Sequence, residues 1–140
     1  MLRMTALTLL AFALASGSSA AAACSGSDPA ITSVGVKSVE PAGNVNRYHL
    51  TGTVINDGSQ SQASNVLQFV DIYQSGVKVD AKAIPPLAAG QSYAFSYVAQ
   101  RSQDAGKGTT NLTFKLDLRE PTSSAHTDCG TTNDAFSVRF

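Results

Sequence analysis

The chain has 140 residues and carries ten basic and ten acidic side chains, which gives a formal net charge of zero. This balance gives no electrostatic reason to expect nucleic acid or an anionic membrane surface as a partner. The length suffices for one hydrophobic core and leaves no room for a second.

The N-terminal segment predicts export. Arg3 is its only charged residue, and the apolar run at 6–15 is followed by small residues. This order is typical of a cleaved secretory signal, whereas a membrane-spanning helix needs about 20 apolar residues. We therefore predict a signal peptide over 1–23, with cleavage between residues 20 and 24. The mature domain, 24–140, is expected to be periplasmic, extracellular or on the outer surface, without a transmembrane segment.

The two cysteines, Cys24 and Cys129, lie near opposite ends of the mature chain. In an exported protein such a pair most often forms a disulfide bond, and we predict that it does so here. The alternative is a lipoprotein in which Cys24 is acylated at the new N-terminus. Against it, Ala21 stands where a lipid-attachment signal usually has Leu, and acylation would leave Cys129 unpaired.

Short apolar-patterned runs alternate with clusters of Gly, Ser, Asn, Asp and Pro along the mature sequence, as strands alternate with turns. No segment after the signal has helical periodicity. Turns about every 8 to 12 residues indicate two antiparallel sheets packed face to face. We therefore predict an all-β fold, a seven-stranded antiparallel immunoglobulin-like β-sandwich. The predicted strands lie at 30–39, 47–55, 65–74, 77–84, around 93–97, 111–118 and 135–140.

The strand pattern carries three further expectations. The first strand should stop before Pro41. In the fourth strand Lys78, Asp80 and Lys82 alternate with apolar residues, so we expect these charges on the open face of an edge strand. The core should be built from apolar residues of five strands. They are Tyr48, Leu50, Val54, Val70, Ile72, Tyr93, Phe95, Tyr97, Leu112, Phe114, Leu116, Phe136 and Val138.

Several motifs resemble those of one family. Residues 54–58 read Val-Ile-Asn-Asp-Gly, 63–66 read Ala-Ser-Asn-Val, 70–76 read Val-Asp-Ile-Tyr-Gln-Ser-Gly, and 87–92 read Leu-Ala-Ala-Gly-Gln-Ser. These segments resemble the cell-adhesion-related domain found in bacteria, CARDB, a seven-stranded immunoglobulin-like module of exported proteins. The resemblance covers 28–140 and implies the same sandwich fold. The matching motifs are structural, so they imply no functional residue.

Little in the sequence points to enzyme chemistry. There are two histidines, His49 and His126, and no nucleophile elbow, zinc-protease motif or glycine-rich phosphate loop. We predict no catalytic residue, no cofactor and no bound metal. A calcium site built from loop carboxylates is the chemical alternative, although their spacing matches no known calcium loop. Its candidate ligands are Asp117, Glu120, Asp128 and Asp134.

Two functions from different classes remain. The first is a non-catalytic binding or adhesion module, whose partner is an unknown protein or a surface glycan. The second is a structural or accessory subunit that adds a strand to another exported protein or inhibits it.

The third strand is apolar on both faces. If Val70 and Ile72 point into the core, its other residues point outward around Asp71. The opposite choice would bury Asp71 between the sheets, where an unpaired carboxylate is costly. An outward apolar stripe often marks a partner surface, unless a loop, the N-terminal segment or a bulge conceals it. The stripe consists of Leu67, Phe69 and Tyr73.

Overall fold

The computed structural model describes residues 25–105, 108–120, 129–130 and 132–140. Within these ranges the chain forms seven strands in two antiparallel sheets, which confirms the predicted sandwich. The strands are β1 Pro29–Ala42, β2 Val45–Asn56, β3 Leu67–Gln74, β4 Val77–Ile84, β5 Ser92–Ser102, β6 Asn111–Glu120 and β7 Ala135–Arg139. The predicted signal peptide and Cys24 lie outside the described residues.

One sheet has three strands in the order β1-β2-β5, and the other has four in the order β4-β3-β6-β7. Two tight turns create the hairpins β1–β2 and β3–β4. Gly43 has a φ of 63°, and Ser75 and Gly76 have φ values of 51° and 81°. Positive φ at both central residues matches the right-handed twist of paired strands, which explains the Ser-Gly turn between β3 and β4.

The core lies between the sheets and contains most of the residues predicted for it. Phe95 and Phe114 pack with their ring centres 5.9 Å apart. Predicted core residues that are buried are Leu50, Val54, Val70, Ile72, Phe95, Leu112 and Phe114. Those that are half-buried and pack against this cluster are Tyr48, Tyr97, Leu116, Phe136 and Val138.

The core prediction was wrong for Tyr93, which is 39% exposed. Tyr93 is the second residue of β5, and β5 is an edge strand, so its side chain lies at the rim of the sandwich. The core also contains residues that were not predicted for it, among them two in β1, whose pairing register is irregular, one at the end of β4 and one in the loop that follows. These are Ile31, Val34, Ile84 and Leu87.

The first strand does not stop before Pro41. β1 continues to Ala42, and Pro41 pairs with Asn46 of β2. β1 is at the edge of its sheet, so one side of the strand has no hydrogen-bonded neighbour. Proline is tolerated there because its missing N–H leaves no inter-strand hydrogen bond unmade.

The prediction for β4 was right about its edge position and about Lys78, which faces away from the core, but wrong about Asp80 and Lys82. Asp80 pairs with Ile72 and Lys82 pairs with Val70, and both partners are fully buried. Directly paired residues share a face, so Asp80 and Lys82 lie on the side of the sheet that faces the core. The edge position of β4 lets them remain half-exposed, and Lys82 extends to 6.0 Å from the Tyr97 ring.

Asn56, the amide of the Val-Ile-Asn-Asp-Gly motif, is a buried junction between three segments. Its Oδ1 accepts hydrogen bonds from the backbone N–H of Asp28 and Gly58, and its Nδ2 donates to the carbonyls of Gln60 and Leu87. A Cβ at Gly58 would lie 2.2 Å from the Gly26 carbonyl oxygen, so only glycine fits there.

The entry into β3 is fixed by a second amide pair. Gln62 and Gln68 exchange two side-chain hydrogen bonds of 2.9 and 2.8 Å, and Gln62 also accepts from the Leu87 N–H. Both side chains are buried. Since buried amides are tolerated only when they are bonded, this pair fixes where β3 begins.

Candidate functional site

The outward side of the four-stranded sheet, called the outer face below, is set by the register of β3 with β6. Val70 and Ile72 are fully buried, so their neighbours in sequence point away from the core. Cross-strand pairing then places the outward residues in three rows. They are Phe69 opposite Asp117, Asp71 opposite Lys115, and Tyr73 opposite Thr113.

Asp71 is at the centre of the outer face and is only 4% exposed although it points outward. Its Oδ1 accepts a hydrogen bond of 2.9 Å from Nη2 of Arg119, and its Oδ2 lies 2.7 Å from Nζ of Lys78. Burying a carboxylate costs free energy unless cations and hydrogen bonds compensate. Here two cations from different strands do so, because their long side chains cross over it.

The two aromatic rings of the outer face lie under cations. The Arg119 guanidinium is 3.9 Å from the centre of the Phe69 ring, and Nζ of Lys115 is 5.2 Å from the centre of the Tyr73 ring. Both rings are half-buried. Leu67, at the start of β3, is 51% exposed. The surface is therefore a mixture of aromatic rings, cations and one exposed leucine.

Arg119 joins these groups. Its Nε donates to Asp117 at 2.7 Å while its Nη2 donates to Asp71. The hydrogen bond to Asp117, together with the negative charge of Asp71, raises the pKa of Arg119 above its ordinary value. The guanidinium therefore remains charged at any physiological pH.

The sequence indicated the aromatic residues of this surface and an outward Lys78, but not that Lys115 and Arg119 lie beside them. Lys78, Lys115 and Arg119 come from two other strands, and their positions depend on the pairing register of β3 with β4 and β6. The alternation of charged and apolar residues in β6 was the available signal, since it showed that one side of β6 is solvated. It did not show which strand lies beside it.

Cys129 lies beside the start of the described chain. Its N–H donates to the Ser27 carbonyl at 3.3 Å, and a Cβ at Gly26 would be 3.4 Å from its Sγ. There is no free cysteine among the described residues. Cys129 is therefore close to the segment that follows Cys24, which itself lies outside the described residues.

The carboxylates considered for calcium do not form a site within the described part of the chain. Asp117 is bonded to Arg119 on the outer face. In the ranges given above, no three His, Cys, Asp or Glu residues are grouped as metal ligands. Asp128, the Glu120 side chain and His126 lie outside the described residues.

The described chain also contains no helix long and apolar enough to cross a membrane.

Comparison with solved structures identifies the fold. The CARDB domain of the PF1109 protein from Pyrococcus furiosus, crystallised with di-metal ions, has a TM-score of 0.60 and 13% sequence identity, over 86% of this chain and 91% of that chain. The fold is that of a CARDB domain. The family resemblance inferred from the turn motifs is thus confirmed at the level of the fold.

A second similar structure was determined in solution by NMR. It is the 272–376 domain of a Methanosarcina acetivorans protein whose name assigns it to the cell surface. Its TM-score is 0.56 and its identity 20%, over 81% of this chain and 90% of that chain. No protein-family model and no curated protein matches the chain.

Proposed function

We propose that this CARDB-like chain is an exported, non-catalytic binding module that contacts a protein partner through its outer face. The observation that carries the proposal is the combination of exposed Leu67 with the half-buried rings of Phe69 and Tyr73 on one sheet surface. Aromatic and arginine side chains are enriched among the residues that dominate binding energy, and here Arg119 lies directly on Phe69.

The shape of the surface favours a protein partner over a small ligand. Small-molecule sites are usually concave, with volumes of about 300–1,000 Å³. A cavity of about 140 Å³ occurs elsewhere, beside Asn46, Tyr48 and Arg101. A sheet surface with an exposed apolar residue and a charged surround instead resembles the core and rim of a protein interface.

Export is supported by the apolar N-terminus of the sequence and by the cell-surface name of the Methanosarcina neighbour. An oxidising compartment permits the Cys24–Cys129 disulfide, which we include in the proposal. The position of Cys129 next to Gly26 and Ser27 supports the pairing, because Cys24 precedes Gly26 by only two residues. Such a bond would join the start of the mature domain to the segment before β7.

The alternative function, strand addition to another protein, would use one of the four edge strands, β1, β5, β4 or β7, and two of these, β1 and β4, are protected. β1 has two register shifts against β2 and contains Pro41. In β4, the charged side chains of Asp80 and Lys82 lie on the side of the sheet that faces the core. Bulges, proline and inward-pointing charges all oppose edge-to-edge pairing.

The test is affinity capture from cell-envelope extracts with quantification of the bound proteins. Leu67→Ser and Tyr73→Ser should each reduce the recovery of a partner that wild type captures. Val98→Ser is the matched control, because Val98 is 42% exposed on the other sheet. Equal recovery with all variants, or loss with Val98→Ser alone, would reject the outer face as the contact surface.

A further inference from the structure

We infer that the partner surface recognised by the outer face is acidic, an inference that rests on the proposed function and gives its partner a chemistry. Among the described side chains of this face, which exclude that of Glu120 opposite Leu67, four are cationic and two are carboxylates, a net charge of +2. The positive groups are Lys78, Lys115, Arg119 and Arg139, and the negative groups are Asp71 and Asp117.

The positive groups at the centre of the outer face are more exposed to solvent than the carboxylate beneath them. The Asp71 side chain is 6% exposed, whereas those of Lys78 and Arg119 are 41% and 39% exposed. Both cations extend above the carboxylate that they cover. A partner approaching the centre of the outer face therefore meets ammonium and guanidinium groups first, and opposite charge across an interface favours association.

Lys115 is the group best placed to bind the partner directly. It is exposed and pairs across the strands with Asp71, but the two oxygens of Asp71 are bonded to Arg119 and Lys78. Lys115 instead extends over the Tyr73 ring. An ammonium has three donors, and a ring face uses none of them fully. A carboxylate from a partner could bond to Lys115 without breaking any contact within the domain.

The same contacts favour an acidic protein surface over an anionic glycan. Sugar-binding surfaces use open aromatic faces for contact with the sugar ring. On the outer face, cations already lie over the rings of Phe69 and Tyr73. Flat arrays of cations beside exposed leucine instead match the charged rim and apolar centre of a protein interface.

The experiment uses the purified mature domain with two probes, poly-L-glutamate and a polyuronate, at low and physiological ionic strength. Binding to poly-L-glutamate should be stronger, should weaken as salt screens the charges, and should fall by at least about tenfold in Lys115→Glu. The control is Lys37→Glu, which changes the charge equally at an exposed position of β1. It should leave binding within about twofold of wild type.

If Lys115→Glu does not fold, Lys115→Gln and Lys37→Gln are compared instead. Lys115→Gln should then weaken binding to poly-L-glutamate, by less than Lys115→Glu would, and Lys37→Gln should not. Equal effects of the two positions, preference for the polyuronate, or binding that does not depend on salt would overturn the inference. The proposed function would stand independently if Leu67→Ser still lost the captured partner. If neither Leu67→Ser reduces capture nor Lys115→Glu weakens binding to poly-L-glutamate, both the outer face as contact surface and its acidic partner are rejected.

Discussion

The guanidinium of Arg119 lies 3.9 Å from the centre of the Phe69 ring, and its Nη2 reaches past that ring to the carboxylate of Asp71 at 2.9 Å. One side chain of β6 therefore covers an aromatic residue of β3 and compensates the charge of the next outward residue. This contact keeps Phe69 from being a bare apolar patch, and it makes the candidate partner surface cationic.

Removal of the Asp71 carboxylate should destabilise the domain. Asp71→Ala leaves Arg119 and Lys78 close together with Lys115 nearby, and it removes two charge-assisted hydrogen bonds. We expect a loss of about 1–3 kcal/mol in the free energy of unfolding, less than for a fully buried pair because both cations are partly exposed. Chemical denaturation measures it. Asp117→Ala is the control, and an equal or larger loss there would contradict the central role of Asp71.

Truncation of a central ring tests the core. Phe114 is fully buried between the rings of Phe95 and Tyr97, so Phe114→Ala should cost about 3–5 kcal/mol of stability. For a small domain this approaches the whole free energy of unfolding. Tyr93→Ala removes an aromatic ring of similar size at an exposed position and should cost much less. Similar denaturation midpoints for Phe114→Ala and Tyr93→Ala would contradict the position of Phe114 at the centre of the core.

The titration of Tyr97 should reveal the charges on β4. Burial, and then the negative charge of Asp80, raise the pKa of Tyr97 above 10.0, while Lys82 lowers it. Asp80→Asn removes the second cause and frees Lys82, so the pKa should move down toward the ordinary value. Ultraviolet titration of tyrosinate, with Tyr97→Phe as the reference, measures the shift. An unchanged or higher pKa in Asp80→Asn would contradict the inward position of Asp80.

The same shift predicts the direction of pH dependence. Because the folded pKa of Tyr97 lies above its unfolded value, the protonated phenol stabilises the fold. This contribution is complete below pH 10.0 and is lost as the pH rises through the folded pKa. The alkaline loss of stability should therefore be smaller in Tyr97→Phe than in wild type.

The proposed disulfide has a direct mass signature. Intact mass of the mature protein under non-reducing conditions should be lower by two hydrogens than after reduction, and no thiol should react without a reductant. Cys129→Ser should lower stability by about 2–5 kcal/mol, the usual cost of losing a bridge in a small exported domain. Two reactive thiols, or an acylated Cys24, would exclude the bridge.

The regular strands were predictable because alternation shows which residues share a face, and this was sufficient for β2, β3 and β6. Alternation alone did not show which of two faces is inward in β4. There, buried Ile84 is in phase with Asp80 and Lys82, so these two share the core side of an edge strand, whereas Lys78 lies beyond a register shift and faces outward. Periodicity also says nothing about the end of a sheet, which is why Tyr93 was assigned to the core.

The site was predictable only in part. The outward set on β3 follows from strand geometry, whereas the position of Arg119 depends on a bulge between β3 and β6 that displaces pairing at Leu67 and Gln68. Asn56 belongs to the Val-Ile-Asn-Asp-Gly motif, which by itself indicated no role for the amide side chain. Its role as a buried junction depends on segments near Asp28 and Leu87, and only the folded chain brings these together.

The most direct test of the outer face as the partner surface is an NMR titration of the isotopically labelled mature domain with the partner obtained by capture. If the outer face contacts the partner, backbone amide signals should change mainly at 67–73 in β3 and 113–119 in β6, with little change in β1, β2 or β5. Changes concentrated in the three-stranded sheet, with the outer face unaffected, would contradict it.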